Sequence, residues 1–369
     1  MKKGRVKMTT MTVYRCPCCG GEISFNSDNQ KLVCPYCDTA FEVETLKMYK
    51  EQLLESQEDK MEWSDAFEHD TLDNEDIVMY SCENCGGEII GNKETIATSC
   101  PYCASPVIMN KNVSGQLRPN YVIPFKLDSK DAKEQLLNFF KGKAFLPRNF
   151  KNDSTLDEIK GIYVPFWTYH CLADVKQQYK ATRISHYSDD EYHYTKTKYY
   201  SLTREGTVEF NNVPVDGSSK IDDEYMQSIE PFDFNDAVDF DTAYLAGYFA
   251  DKYDEGSKDS EPKANKRIKN STESIFSSTV TGYSTSQIEH STIQLKNKHV
   301  DYYLLPVWIL NLKWNDKIYP LMMNGQTGKL IGDLPADMKL FWKSVLIITA
   351  ISAIIIYIFL RSEERRVGK

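Results

Sequence analysis

Cysteine is scarce over the last two thirds of the chain: nine of the ten lie between Cys16 and Cys103, and only Cys171 lies beyond them. Disulfides of a secreted domain spread through its fold, so this crowding argues against a disulfide framework. It reads instead as metal or redox chemistry in a reducing compartment. The N-terminal stretch MKKGRVKMTTMTVYRC is basic but has no apolar h-region, so no export is expected and the thiols belong in the cytoplasm. Positive charge is also short. Lys and Arg number 44 against 53 Asp and Glu, a net of −9, and such a surface repels phosphate backbones unless a basic patch intervenes.

Catalytic constellations are missing as well. Gly325-Gln-Thr-Gly-Lys329 lacks the GxxxxGK[ST] spacing of a phosphate loop. Asp233, Asp236, Asp239 and Asp241 cluster in EPFDFNDAVDFD without the glycine and closing Glu of a calcium loop, so a solvated loop or helix start is expected there. His170 and Cys171 are adjacent, but neighbours on a strand point to opposite faces, so the imidazole is not placed to activate the thiol. His186 and His193 bracket YSDDEY with no third ligand in view. We therefore expect a protein that is not an enzyme.

Long uncharged runs are limited to one. SVLIITAISAIIIYIFL, residues 344–360, carries no charge and as a helix spans about 26 Å. With Leu340, Phe341 and Trp342 upstream, residues 340–360 are expected to cross a bilayer once, anchoring the protein in the cell membrane. The tail at 361–369, RSEERRVGK, resembles a translated adapter rather than a native terminus. With it four basic residues follow the helix; without most of it only Arg361 does, against Lys329, Lys339 and Lys343 before it. Topology is therefore read from the thiols, with the N-terminal domains in the cytoplasm.

What the chain does contain is a repeat. A shift of 66 residues carries Tyr14 onto Tyr80, Cys16 and Cys19 onto Cys82 and Cys85, and Cys34 and Cys37 onto Cys100 and Cys103. Each copy reads CxxC, then Gly-Gly within a spacer of fourteen residues, then CPYC. A CxxC knuckle turns the chain so that two sulfurs face one centre, and two knuckles complete a tetrahedral set of soft ligands that suits zinc. Two Zn2+ are expected, one on Cys16, Cys19, Cys34 and Cys37 and one on Cys82, Cys85, Cys100 and Cys103. Iron in a rubredoxin-like site uses the same ligands. CPYC is also the active-site tetrapeptide of glutaredoxin-like oxidoreductases, a reading that requires a βαβ setting and a helix starting at the second cysteine. Here DTAFEV and ASPVI follow, both strand-like. Cys18 is an extra thiol inside the first knuckle.

The ribbons carry no basic stripe. Residues 12–44 hold two basic against five acidic side chains, and residues 79–110 one against three; four thiolates around a dication add about two negative charges to each. Nucleic acid is thus the lesser expectation and protein contact the greater, with the partner's identity open.

The organisation expected is a first zinc ribbon at 12–44, an acidic and partly helical linker at 45–78 with three Lys against eleven acids, a second ribbon at 79–110, and a core domain at 115–336. The core alternates helical patterns at 129–141, 243–253 and around 263–276 with β-rich runs at 192–210 and 300–314, which favours α+β with a mainly antiparallel sheet. YVIPF, YVPFW and YLLPVW share a plan, and proline places such strands at an edge or a bulge. The tryptophans following the last two are expected in the core. A closing hairpin is expected over 319–331, with Gly325 and Gly328 taking positive φ.

YxCPCCGGEISF, ATSCPYC, YVIPFKL, GIYVPFW, VPVDGSSK, EPFDF, YLAGYFADKYD, LLPVW and MNGQTGKLIGDLP together resemble a family of bacterial membrane-anchored proteins with zinc ribbons of the transcription-factor-IIB type. The resemblance runs from Tyr14 to Pro335. It implies zinc on the eight cysteines named and a membrane tether, with no established activity.

Overall fold

Along KGIYVPFW and DYYLLPVWIL apolar residues occupy both faces of a strand, a pattern that demands cover on each side. Both motifs lie in long strands of a computed structural model that describes residues 15–54, 59–63, 71–72, 77–92, 99–110, 116–147, 150, 153–156, 158–315 and 317–367. Parts of the linker expected at 45–78 fall outside these residues.

In chain order the first ribbon supplies β1 (Ser24–Asn26), β2 (Lys31–Val33) and β3 (Ala40–Phe41), followed by α1 (Val43–Leu54). Then come β4 (Thr71–Leu72), β5 (Ile77–Ser81), β6 (Glu88–Asn92) and β7 (Ile108–Asn110) around the second ribbon. β8 (Gln116–Leu117), β9 (Tyr121–Val122), α2 (Ser129–Phe140) and α3 (Asp153–Leu156) lead to β10 (Lys160–Ser188) and β11 (His193–Asp216). The chain finishes through α4 (Asp223–Ile229), β12 (Val238–Asp239), β13 (Phe249–Asp251), α5 (Ser257–Ser278), β14 (Thr285–Trp314), β15 (Lys317–Asn324), β16 (Leu330–Gly332) and α6 (Met338–Val367). The fold is thus two small tetracysteine β-hairpin modules, a mixed α+β domain with a large, mostly antiparallel sheet, and a long apolar C-terminal helix.

The chain divides into two compact units, one of Met1–Glu62, Cys171–Phe210 and Asn265–Lys298, the other of Trp63–His170, Asn211–Ala264 and His299–Lys369. In the first, β1, β2 and β3 form their own antiparallel sheet. Ile268 and Thr272 of α5, with Tyr179, Ile293 and Leu295 of the long strands, are buried. The segment after α1 is fixed by Lys60 N donating to Ile293 O at 2.9 Å and by an Asp59–Lys269 ion pair at 3.1 Å.

In the second unit the sheet runs β12-β9-β14-β10-β13-β6-β5-β7, with β11 on β10 and β15 between β14 and β16. Its two faces follow from strand alternation. Ile162, Val164, Phe166, Leu305, Val307 and Ile309 pack under Met226 and Ile229 of α4. Trp308, Leu310 and Leu312 pack under Ala132, Leu136 and Phe140 of α2, which recur every fourth residue to make one helical stripe. Burying side chains the size of Leu136 and Phe140 is worth about 1.5–3 kcal/mol each. Asp128 starts α2 by accepting from the amides of Lys130 and Asp131, while Asp131 returns the bond to its backbone. Trp167 and Trp308 are core residues, 1% and 4% exposed.

The proline strands differ from the expectation. Pro165 and Pro306 lie in interior strands, at points where a ladder changes partner: β14 pairs with β9 at Tyr303–Leu304 and with β15 from Val307 onward. Likewise β10 pairs with β13 at Ile162–Tyr163, after which Pro165 O accepts from Gly217 N at 2.8 Å. A missing N–H at such a junction removes no ladder bond. The helical pattern at 243–253 is also corrected. It is a short 3-10 turn at Thr242–Leu245 followed by β13, because Gly247 turns the chain at φ +83° and the next residues fill the slot between β10 and β6. Gly328 does take a positive φ, +77°, but Gly325 does not. Glycine is needed at 325 because a Cβ would lie 2.6 Å from the Phe125 ring and 2.9 Å from Pro306 Cβ.

Within α6 the stretch Met338–Phe359 is long and apolar enough to cross a membrane, about 33 Å at 1.5 Å per residue. Leu346, Ile348 and Ile355 along it are exposed.

Candidate metal centres

In the first ribbon, Cys16 N donates to Gly21 O and Gly20 N returns a bond to Cys16 O, both at 2.8 Å. Gly20 closes this knuckle at φ +77°. The second ribbon repeats it, with Cys82 N to Gly87 O at 2.9 Å, Gly86 N to Cys82 O at 2.8 Å and Gly86 at φ +69°. The CPYC knuckles are also alike. Cys34 N donates to Thr39 O and Asp38 N to Cys34 O; Cys100 N donates to Ser105 O and Ala104 N to Cys100 O. Here the left-handed position is held by Asp38 (φ +54°) and Ala104 (φ +56°), and at Ala104 that costs roughly 1–2 kcal/mol. The sequence repeat carried no sign of this strain, since neither residue is glycine.

These turns bring the predicted ligands together in two groups. Cys16, Cys19, Cys34 and Cys37 have sulfurs all within 4.8 Å of one another, and so do Cys82, Cys85, Cys100 and Cys103. The short approaches run across knuckles: Cys16–Cys37 at 3.6 Å, Cys19–Cys34 at 3.4 Å, Cys82–Cys103 at 3.5 Å and Cys85–Cys100 at 3.6 Å. A disulfide would require about 2.05 Å, and all ten cysteines are free thiols. A tetrahedral ion with bonds of about 2.3 Å to sulfur sets its ligands about 3.8 Å apart, so both groups fit a metal ion. Cys18 lies outside the first group.

Protonation favours this chemistry at one ligand of each set. The Thr39 hydroxyl, 3.3 Å from Cys37 Sγ, brings that thiol down to about 6. Cys103 is opposed by burial, yet the Ser105 hydroxyl and amide bring it also to about 6. Thr39 and Ser105 are equivalent under the 66-residue shift, and a ligand already ionised releases fewer protons on metal binding. Burial pushes Cys16 up to about 11.

The surroundings of the two centres differ. β6 of the second ribbon pairs with β13 through Ile89–Asp251 and Ile90–Ala250, so that module is part of the large sheet, and Cys82 and Cys100 are each 1% exposed. Val78, Tyr80 and Ile89 surround them. Burial and nearby Asp251 push the Tyr102 hydroxyl well up, and it has no hydrogen-bond partner among the described residues. In the first ribbon the equivalent Tyr36 is 74% exposed.

The other candidate residues make local contacts. His170 Nε2 lies 3.3 Å from Asp301 Oδ2 and His299 Nε2 2.7 Å from Asp301 Oδ1. Cys171 is buried and burial pushes its thiol up to about 11. His186 Nδ1 is 3.0 Å from the Thr195 hydroxyl. Asp233 and Asp241 cap short 3-10 turns, and Asp236 pairs with Lys126 at 2.5 Å. Among the described residues, only the two cysteine sets gather three or more His, Cys, Asp or Glu side chains closely enough to share an ion.

No family model matches the chain, and no solved structure matches it. It is 32% identical over 322 residues to a Bacillus subtilis (strain 168) protein described as "Uncharacterized protein YdjG", a match covering 87% of this chain and 89% of the other.

Proposed function

This chain belongs to the family of Bacillus subtilis YdjG, and from that premise we propose a membrane-tethered, non-enzymatic adaptor or assembly protein whose two zinc ribbons contact protein partners. One observation carries the reading: two tetracysteine sets of the same local geometry, each with cross-knuckle sulfur approaches of 3.4–3.6 Å. Four thiolates in a closed set favour zinc in a structural role, since a catalytic zinc keeps an open position. The oxidoreductase alternative fits poorly. Each CPYC is a turn followed by a β segment rather than a helix, and Cys34 has Cys19, not Cys37, as its close sulfur neighbour at 3.4 Å.

The acidic balance of both ribbons supports protein over nucleic acid as partner. Helix α6 supports a single-pass anchor, and the reduced thiols support ribbons on the cytoplasmic side. The same features agree with membership of the membrane-anchored, transcription-factor-IIB-type ribbon proteins that the sequence resembles. The test is cross-linking of the full-length protein in its native membrane, with the wild type compared against a Cys34→Ser/Cys37→Ser variant. The reading expects at least one protein partner to be lost from the variant. An unchanged partner set would contradict it.

A further inference from the structure

The internal repeat contains a worked example of what a CPYC knuckle binds. The two knuckle tyrosines take the same local pose, each ring lying over the second glycine of the first knuckle: a Cβ on Gly21 would lie 2.5 Å from the Tyr36 ring, and one on Gly87 would lie 3.2 Å from the Tyr102 ring. Only their surroundings differ. Tyr102 is seated in its own unit, its ring packed against the buried cluster around Val78, Tyr80 and Ile89 and its hydroxyl buried near Asp251. Asn311 Nδ2 donates to Pro101 O at 2.6 Å and to Tyr102 O at 3.0 Å, and Lys160 Nζ donates to Ser99 O at 2.6 Å. The seat is therefore the face of three adjacent strands, β14, β10 and β13, with one amide side chain, one lysine and the Asp251 carboxyl beside the apolar side chains of the sheet.

The first ribbon has the same plug without a seat. Tyr36 is 74% exposed and Phe25 54%, and among the described residues the carbonyls of Pro35 and Tyr36 have no hydrogen-bond partner. The opposite knuckle is already engaged within its unit: Lys180 Nζ donates to Cys18 O at 2.8 Å, and Pro17 and Cys18 line a cavity of about 460 Å³ with Tyr199 and Tyr200. The free side is thus the CPYC side. Its charge also selects a partner. Residues 12–44 carry two basic and five acidic side chains, and a tetrathiolate around a dication adds about two negative charges.

We propose that the Tyr36 knuckle is a docking surface for a protein sheet face that presents a lysine, a side-chain amide and an apolar wall, copying the seat that the chain builds for Tyr102. The inference rests on the reading of the ribbons as protein-contact modules and names the partner's chemistry. An anionic lipid surface or a nucleic acid would meet like charge here.

The experiment places the photo-cross-linker p-benzoylphenylalanine at position 36 of the full-length protein in the cells that make it, sequences the attached peptides, and measures metal content on the same preparation. The expected result is attachment to one protein, within a sheet face that carries a lysine and an amide side chain. Changing that lysine to glutamate should lower the yield roughly tenfold or more. Attachment only to lipid, only to a second copy of the chain, or indiscriminately to many proteins overturns the proposal, as does no attachment. If the preparation holds two metal ions per chain and any of these occurs, the docking surface fails while the ribbon reading stands; a preparation without metal would sink the ribbon reading itself.

Discussion

Asp251→Asn should stabilise the protein by an amount that grows with pH. Asp251 ends β13, is 1% exposed, and has one oxygen bonded to the Ser218 hydroxyl while the other lacks a hydrogen-bond partner. Burial pushes its carboxyl from 3.8 up to about 7. The folded state therefore keeps a proton that the unfolded state releases, so stability is highest below the unfolded value and falls as pH rises from about 4 to about 7. At about 1.4 kcal/mol per pH unit, the interval from pH 5 to pH 7 alone costs the wild type about 2–3 kcal/mol. Asparagine does not titrate, and its carbonyl can still accept from Ser218. The advantage of the variant should widen by about 2–3 kcal/mol between pH 5 and pH 8. Urea titrations of the full-length protein in detergent, followed by tryptophan fluorescence, measure this directly, because Trp63, Trp167, Trp308, Trp314 and Trp342 all belong to the same unit as Asp251. A difference independent of pH, or a variant that loses ground as pH rises, would refute the reasoning.

Other perturbations follow from the same packing. Cys100→Ser should release one metal ion and shift tryptophan emission to the red, since its ribbon shares strand β6 with the large sheet. Cys34→Ser should also release one ion yet leave the tryptophan signal unchanged, because β1, β2 and β3 form a separate sheet; equal emission shifts from the two would contradict this division. Gly325→Ala drives a methyl group into Phe125 and Pro306 and should cost about 1–3 kcal/mol in the same urea assay, where no loss of stability would show that the contact relaxes freely.

The metal sites were the most legible part of the sequence because their information is local: ligand spacing, Gly-Gly and CPYC all lie within about twenty residues of one another. The α+β class, the helix at Ser129–Phe140 and the apolar C-terminal helix were legible for the same reason. Pairings across long separations were not. Ile90 meets Ala250 only when the sheet assembles, so nothing near the second ribbon signalled that it joins the core while the first keeps its own sheet. The long strands were legible only in part. The first half of β14, TSQIEHSTIQLKNKH, is polar and largely exposed, so it lacked the apolar alternation that marked 300–314. Gly247 shows the converse, where helical spacing of apolar residues yields to a positive φ that only the backbone reveals.

Eight thiols that hold two ions are the foundation of this reading of the molecule. Its most direct test is elemental mass spectrometry of the purified full-length protein, paired with thiol counting before and after a chelator. Two zinc ions per chain are expected, with Cys16, Cys19, Cys34, Cys37, Cys82, Cys85, Cys100 and Cys103 becoming reactive only when the metal is removed. A metal-free protein whose Cys34–Cys37 or Cys100–Cys103 pairs cycle between thiol and disulfide would contradict it.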